Sequence, residues 1–139
     1  MIIIALFLGL SSMISPAAAS EAQERISFED GSYAIVTIGS GSMARAVKGG
    51  SKTYTYYDSR GQRCFSYLLE ASFTYNGTVS SADDVNFDIH IYRQGWELST
   101  HREYTSGNTA YGSATFTGPN DQTRPLSISL TCDKDGNVT

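Results

Sequence analysis

Phe65 to Gly77 reads FSYLLEASFTYNG and contains the longest period-two hydrophobic pattern in the chain. Alternating side chains lie on opposite faces of an extended strand, so one face here is apolar and aromatic. That face carries Phe65, Tyr67, Leu69, Ala71, Phe73 and Tyr75. The Asn76-Gly77 pair that follows is the strongest short hairpin signal a sequence contains. The stretch therefore predicts a half-buried β-strand that turns back into an antiparallel partner.

The same alternation recurs on both sides of this stretch. It is clear at Val85–Ile91 and Leu126–Cys132, and further strands are predicted at Tyr33–Ile38 and Lys52–Tyr57. Turn signals separate the strands about every ten residues, and no segment has a sustained helical period. We therefore predict an all-β domain. Its expected form is an antiparallel β-sandwich, immunoglobulin-like or jelly-roll-like, with seven to eight short strands.

Length and charge narrow the classes of function. The chain has 139 residues, with ten Lys and Arg against fourteen Asp and Glu, and a net charge of -4. This length suits one domain. This acidic balance argues against nucleic acid as a partner, because a protein that binds nucleic acid normally shows a basic face. Charged residues make up only 17%, which argues against a disordered or coiled-coil protein.

The N-terminus has the features of a secretory signal peptide. Met1–Leu10 is a short apolar run, and Ala17 and Ala19 occupy the positions that a signal peptidase reads. We predict a signal peptide over residues 1–19 and cleavage before Ser20. The run lacks the usual preceding Lys or Arg, and it is too short for a membrane helix, which needs about 20 residues.

The rest of the chain is predicted to have two parts. Residues 20–32 are mostly polar and are predicted to form a flexible N-terminal segment. Residues 33–139 are predicted to form the single β-sandwich domain. The expected location is secreted or at the cell surface, with no stable membrane span in the mature chain.

The two cysteines, Cys64 and Cys132, are predicted to form a disulfide, because the space outside the membrane is oxidising. Neither CxxC nor a Cys/His ligand spacing occurs, so no metal site and no cofactor are predicted. Cys132 belongs to the alternating positions of its strand that are apolar and face the core, whereas Cys64 belongs to the polar positions of its strand. A bulge near Arg63–Phe65, or a disulfide at the rim of the sandwich, would reconcile the two.

Tyrosines are the main candidates for a binding surface, and the chain has nine of them. Exposed aromatic rows on β-sandwiches stack on sugar rings or peptide partners. The candidate residues are Tyr54, Tyr56, Tyr67 and Tyr75; packing in the core is the alternative. Because no catalytic motif is recognised, we expect a non-catalytic protein that binds a protein or carbohydrate ligand.

Other functions stay open at this point. Asp88 and His90 lie two residues apart and therefore on one face of a strand, as a small secreted hydrolase would need. No GxSxG motif accompanies them. A structural envelope component and a protease inhibitor are further alternatives.

Trp96 follows Gly95, which allows a sharp bend of the chain. We expect this bend to turn the indole toward the interior of the sandwich. We therefore predict that Trp96 is a core anchor near Phe73 or Phe87, with stacking on a ligand as the alternative.

Four short motifs occur in order along the chain: FTYNG at Phe73–Gly77, GWEL at Gly95–Leu98, SGNTAYGSAT at Ser106–Thr115 and LTCD at Leu130–Asp133. The pattern resembles a group of small exported, functionally uncharacterised β-rich proteins of Gram-positive bacteria. The resemblance implies an exported β-domain and supplies no catalytic residues. In that group the first cysteine follows the Asn-Gly turn, whereas Cys64 precedes it, which implies a different disulfide pairing.

Overall fold

A computed structural model describes residues 3–7, 21–44 and 46–139, and these residues form an all-β structure without an α-helix. The strands are β1 (Ile3–Phe7), β2 (Glu21–Ser27), β3 (Tyr33–Ala44), β4 (Val47–Tyr57), β5 (Arg63–Tyr75), β6 (Ser80–Ile91), β7 (Glu97–Ser106), β8 (Thr109–Thr117) and β9 (Thr123–Thr131). A short 3-10 turn, Pro119–Asp121, lies between β8 and β9. The predicted all-β class is confirmed.

The strands form two antiparallel sheets in which sequence neighbours are also neighbours in space. The larger sheet has the order β1-β2-β3-β4-β5-β6, and the smaller sheet has the order β7-β8-β9. Immunoglobulin-like and jelly-roll sandwiches both need Greek-key connections. The consecutive order contains no such connection among the described strands. The immunoglobulin-like and jelly-roll-like forms are therefore not confirmed, because consecutive strands pair with each other within each sheet.

The stretch that begins at Phe65 forms a hairpin as predicted. Tyr67 of β5 pairs with Ile89 of β6, and Tyr75 pairs with Ser80 across the Asn-Gly turn. Side-chain oxygens of Asp or Asn close this turn and others, because they accept backbone N–H groups two to four residues later. The acceptors are Asp30, Asp58, Asn76 and Asp133.

Aromatic rings join the inner faces of the two sheets. Phe65 of β5 stacks on Phe116 of β8, with ring centroids 3.9 Å apart. Tyr56 of β4 lies 5.2 Å from Phe65, and Trp96 lies 5.4 Å from Tyr56 and 5.2 Å from Phe65. All four side chains are buried. We call Tyr56, Phe65, Trp96 and Phe116 the aromatic cluster.

Trp96 lies in the core as predicted, but its neighbours are different. It packs within the aromatic cluster rather than near Phe73 or Phe87, because it immediately precedes β7 at the end of the sheets where β5 begins. Gly118 lies directly against the indole, and a Cβ atom at this position would be 2.6 Å from the ring carbons. A side chain at residue 118 would therefore displace the tryptophan.

Two polar contacts also link the sheets. The Lys52 Nζ of β4 donates to the carbonyl oxygen of Ser129 in β9 at 2.6 Å. The Tyr67 hydroxyl of β5 donates to the Glu103 carboxylate of β7 at 2.7 Å. Burial lowers the pKa of Lys52 and raises that of Tyr67. Gly112 of β8 leaves room for the Tyr67 hydroxyl, with which a Cβ atom would collide.

The segment after the predicted cleavage site is not a flexible tail over its whole length. Glu21–Ser27 forms β2, which pairs along β3, where sequence analysis predicted a flexible segment over residues 20–32. Ile26 is opposite Ala34 and packs against the core. Phe28 lies 6.4 Å from Tyr56. These apolar contacts hold the segment on the sheet.

The predicted signal peptide is only partly described by the structure. Ile3–Phe7, within predicted residues 1–19, forms β1 at the edge of the larger sheet. The predicted cleavage site at Ala19 and Ser20 lies outside the described residues. Export and the domain limits therefore stay predictions.

The predicted Cys64–Cys132 disulfide is wrong in this structure, where both cysteines are free and buried. The predicted bulge is confirmed: Tyr56 pairs with Phe65 and Tyr57 with Arg63, which leaves Cys64 as the extra residue of β5.

The two thiols lie at opposite ends of the sheets. The carbonyl oxygen of Cys132 accepts a hydrogen bond from Ser80, which pairs with Tyr75 at the far end of β5 from Cys64. At about 3.3 Å per residue of strand, more than about 30 Å separates them, whereas a disulfide allows about 7 Å between Cα atoms.

We expect the native protein to contain two protected thiols. Cys64 is 1% and Cys132 0% exposed, and burial raises the pKa of both, so the reactive thiolate is disfavoured. Iodoacetamide should modify neither cysteine in the native protein and both after denaturation without a reductant. Intact-mass spectrometry measures this. A Ser59→Cys variant, with a thiol in an exposed turn, is the control that should react in the native state. A mass two hydrogens lower than that of the reduced chain would contradict the expectation.

Candidate functional site

Four turns meet at one end of the two sheets and line an open cavity of about 570 Å³. They join β2 to β3, β4 to β5, β6 to β7 and β8 to β9. Loops held at the end of a rigid β scaffold are common places for binding residues. Three arginines, two aspartates and a tryptophan line the cavity, and we call this set the arginine pocket: Arg60, Arg93, Arg124, Asp30, Asp58 and Trp96.

Asp30 has a separate role for each of its carboxylate oxygens. Oδ1 accepts the backbone N–H of Ser32 at 2.9 Å and closes the turn between β2 and β3. Oδ2 accepts a hydrogen bond from Arg124 Nη2 at 2.5 Å. The carboxylate that shapes the turn therefore also fixes an arginine from β9, and charge-assisted bonds of this kind are stronger than neutral ones.

Asp58 repeats this arrangement in the turn between β4 and β5. Its Oδ1 accepts the backbone N–H groups of Arg60 and Gln62 at 2.9 and 3.0 Å. Its Oδ2 pairs with Arg93 Nη1, which also donates to the Gln62 side chain. Two turn-closing aspartates thus hold two arginines at the cavity.

The aromatic cluster supports the pocket from the core side. Arg124 Nε donates to the hydroxyl of Tyr56 at 3.0 Å, and the guanidinium carbon lies 5.3 Å from the centre of the tyrosine ring. The Tyr56 and Trp96 side chains line the cavity although they are 1% and 7% exposed. The position of Arg124 therefore depends on a buried ring as well as on Asp30.

Arg60 differs from the other two arginines of the pocket. It is exposed, and among the described residues no hydrogen bond or ion pair involves its guanidinium. The pocket therefore has three guanidinium groups and two carboxylates, and each carboxylate is already paired.

The turn between β8 and β9 has an unusual backbone. Asn120 and Asp121 are successive non-glycine residues with φ of 61° and 58°, in the left-handed region. Few non-glycine residues adopt this conformation, and such residues cluster at binding and active sites. Asn120 itself lines the cavity.

The tyrosines predicted to form an exposed row do not form one. Tyr54, Tyr56 and Tyr67 are buried, and burial raises the pKa of Tyr54 to about 12. Tyr75 is half-buried, and its ring lies against Gly136. The expectation is wrong for a simple reason: the parity that these tyrosines share is the parity of the inner face. Only Tyr56 reaches the pocket.

Asp88 and His90 lie exposed on the outer face of β6, as the shared parity predicts. Asp88 Oδ1 accepts the N–H of Ile89, and the His90 ring lies 4.2 Å from that of Tyr92. None of the hydrogen bonds between described residues joins Asp88 to His90. The structure therefore does not bring them together as a catalytic pair.

His101 belongs to a polar chain that the sequence did not reveal. Its Nδ1 lies 2.9 Å from Glu103, whose other carboxylate oxygen accepts the Tyr67 hydroxyl. His101 also contacts the ring of Phe87, with centroids 4.2 Å apart. This chain of contacts attaches β7 to the larger sheet, although the His101 side chain itself is exposed.

A second depression, of about 610 Å³, lies over small residues of β3 and β4. Gly39, Gly49 and Ser51 form part of its lining, and the exposed carboxylates of Glu70 and Asp84 lie beside them. Among the described residues that line it, none is an arginine or an aromatic residue. It offers fewer specific contacts than the arginine pocket.

Comparisons with protein-family models, with curated proteins and with solved structures found no match. Within residues 3–7, 21–44 and 46–139, no helix has the length and apolar character needed to cross a membrane. The same residues contain no group of three or more His, Cys, Asp or Glu side chains placed to hold a metal ion.

The ionisation of Asp30 tests the geometry of the pocket. Hydrogen bonds from Ser32, first from its hydroxyl and then from its N–H, and the nearby Arg124 lower the pKa of Asp30 below 3.8. We expect Ser32→Ala and Arg124→Gln both to raise this pKa, because each removes a contact that lowers it. Carboxyl NMR titration measures the change.

The pKa of Asp133, at the other end of the molecule, is the control and should stay unchanged in both variants, because its lowering comes mainly from bonds with Asn137. The pKa of Asp30 is lowered in the folded state. Its ionised form therefore stabilises the fold above the unfolded pKa, and this contribution is lost as pH falls through the folded pKa. An Asp30 pKa that stays unchanged in both variants would contradict the assignment.

Proposed function

We propose that this chain is an exported, non-catalytic β-sandwich protein that binds a ligand in the arginine pocket, at the cell surface or in the surrounding medium. The apolar run and the small residues at the N-terminus support export. The contacts between the inner faces of the two sheets, centred on Phe65 and Phe116, support a sandwich built from consecutive hairpins.

One observation carries the binding proposal: two of the three arginines, Arg93 and Arg124, are held in place by side chains of the protein itself. Asp58 fixes Arg93, and Asp30 together with Tyr56 fixes Arg124. Side chains that are already ordered lose less conformational entropy when a ligand binds. Arrangements of this kind favour recognition of polar ligands.

The composition of the pocket favours binding over catalysis. Both aspartates are engaged with arginines and with backbone N–H groups, which leaves neither as a free base. The alternative, a secreted hydrolase, relies on Asp88 and His90. These two lie on the outer face of β6 and do not line the cavity.

Chemical-shift mapping tests the site directly. The ¹⁵N-labelled protein is titrated with D-glucose, D-glucuronate, glucose 6-phosphate and L-alanine in turn. We expect at least one of these probes to shift the amide signals of the pocket turns, at Gly31, Gly61, Gly95 and Asn120. The amides of the second depression, such as that of Ser51, serve as the control and should stay in place.

Shifts confined to the second depression, or no shift with any probe, would contradict binding in the arginine pocket. Hydrolysis of an ester or glycoside that disappears in both Asp88→Ala and His90→Ala would instead support the hydrolase.

A further inference from the structure

We infer that the ligand of the arginine pocket is a sugar acid, a small polyol that carries one carboxylate. This inference rests on the proposed binding function and specifies its ligand. It follows from the charge of the pocket, from the donors that its arginines leave free, and from the amide side chains at its rim.

The charge of the pocket favours a ligand with one negative charge. Asp30 compensates Arg124 and Asp58 compensates Arg93, which leaves the positive charge of Arg60 without a partner among the described residues. A monoanion neutralises this charge. A dianion such as a phosphate monoester would bring a second negative charge close to two carboxylates, and like charges at short range repel.

The N–H groups that the arginines of the pocket leave free favour a ligand with a carboxylate. Arg93 uses Nη1 for its contacts with Asp58 and Gln62, and Arg124 uses Nε and Nη2 for Tyr56 and Asp30. The remaining N–H groups of these two side chains, and all those of Arg60, are available to a ligand. Planar guanidinium groups bind the two oxygens of a carboxylate side by side, which adds geometric specificity.

The rim favours a ligand that also carries hydroxyl groups. Asn120 and Gln122 line the cavity, and within the described part of the chain their side-chain amides make no hydrogen bond. An amide both donates and accepts, as a hydroxyl does. A simple fatty acid would leave these amides unused. The cavity of about 570 Å³ is within the ordinary range for small-molecule sites.

An amino acid is a weaker candidate for the same pocket. Its ammonium group would need a free carboxylate, and both Asp30 and Asp58 are already paired with arginines. A neutral sugar would leave Arg60 without a counter-charge. A sugar acid offers a carboxylate to the Arg60 guanidinium and hydroxyl groups to the side-chain amides of Asn120 and Gln122.

Isothermal titration calorimetry of the protein with D-glucuronate and with D-glucose tests the inference. We expect glucuronate to bind roughly tenfold more tightly than glucose, because a charge-assisted hydrogen bond contributes more than a neutral one. Binding of glucuronate should weaken as salt is added, because Arg60 is exposed and its interactions are screened.

Substitutions at Arg60 locate the effect. Arg60→Gln should weaken glucuronate binding by roughly tenfold and should weaken glucose binding less than that, and Arg60→Lys should restore part of the loss. Arg102→Gln is the matched control, because Arg102 is an exposed arginine on β7 that does not line the cavity. This variant should bind glucuronate like the original protein.

The outcomes separate the inference from the proposed function. Equal binding of glucose and glucuronate with pocket amide shifts, insensitive to Arg60→Gln, would overturn the inference and leave the binding function intact. Tighter binding of glucose 6-phosphate or of L-alanine than of glucuronate would overturn the inference in the same way. If none of the four probes shifts the pocket amides, both fail.

Discussion

The stacking of Phe65 on Phe116 is the contact on which the rest of the structure depends. It is the closest ring pair among the described residues, with centroids 3.9 Å apart, and it joins a strand of the larger sheet to a strand of the smaller one. Large buried rings contribute more apolar area than any other side chains, so this contact sets the spacing of the two sheets. Tyr56 and Trp96 then fill the space beside it. The four turns meet at one end because the sheets are held in this relation.

The ion pairs of the pocket depend on this apolar packing between the two sheets. Asp30 and Asp58 close turns between neighbouring strands, and their second oxygens bind Arg124 and Arg93, which belong to other parts of the chain. Local turn geometry is thereby coupled to the position of distant side chains. The same core that buries the Tyr56 ring also places its hydroxyl where it accepts a hydrogen bond from Arg124. A polar site of this kind needs a rigid apolar neighbour to stay ordered.

The periodicity of the sequence predicts the strands, but it does not predict how the two sheets pack together. The alternation at Phe65–Tyr75 indicated both the strand and its buried face, and the Asn76-Gly77 pair indicated the hairpin that follows. Parity shows which face a side chain occupies but not what covers that face. The buried tyrosines, such as Tyr67, therefore had the same pattern as a binding row. The Cys64–Cys132 pairing failed for a similar reason, because the count of cysteines gives no information on which end of a sheet each one occupies.

The pocket could not be predicted from the sequence, because the residues that form it are far apart along the chain. Asp58 closes the turn between β4 and β5, but its partner Arg93 is 35 residues away, and Arg124 is 94 residues from Asp30. Nuclear Overhauser effects between side chains of the two sheets test the account most directly. The account predicts cross-peaks between the rings of Phe65 and Phe116 and between the Trp96 indole and the Hα atoms of Gly118. Cross-peaks between neighbouring strands within each sheet, without these contacts between the sheets, would contradict it.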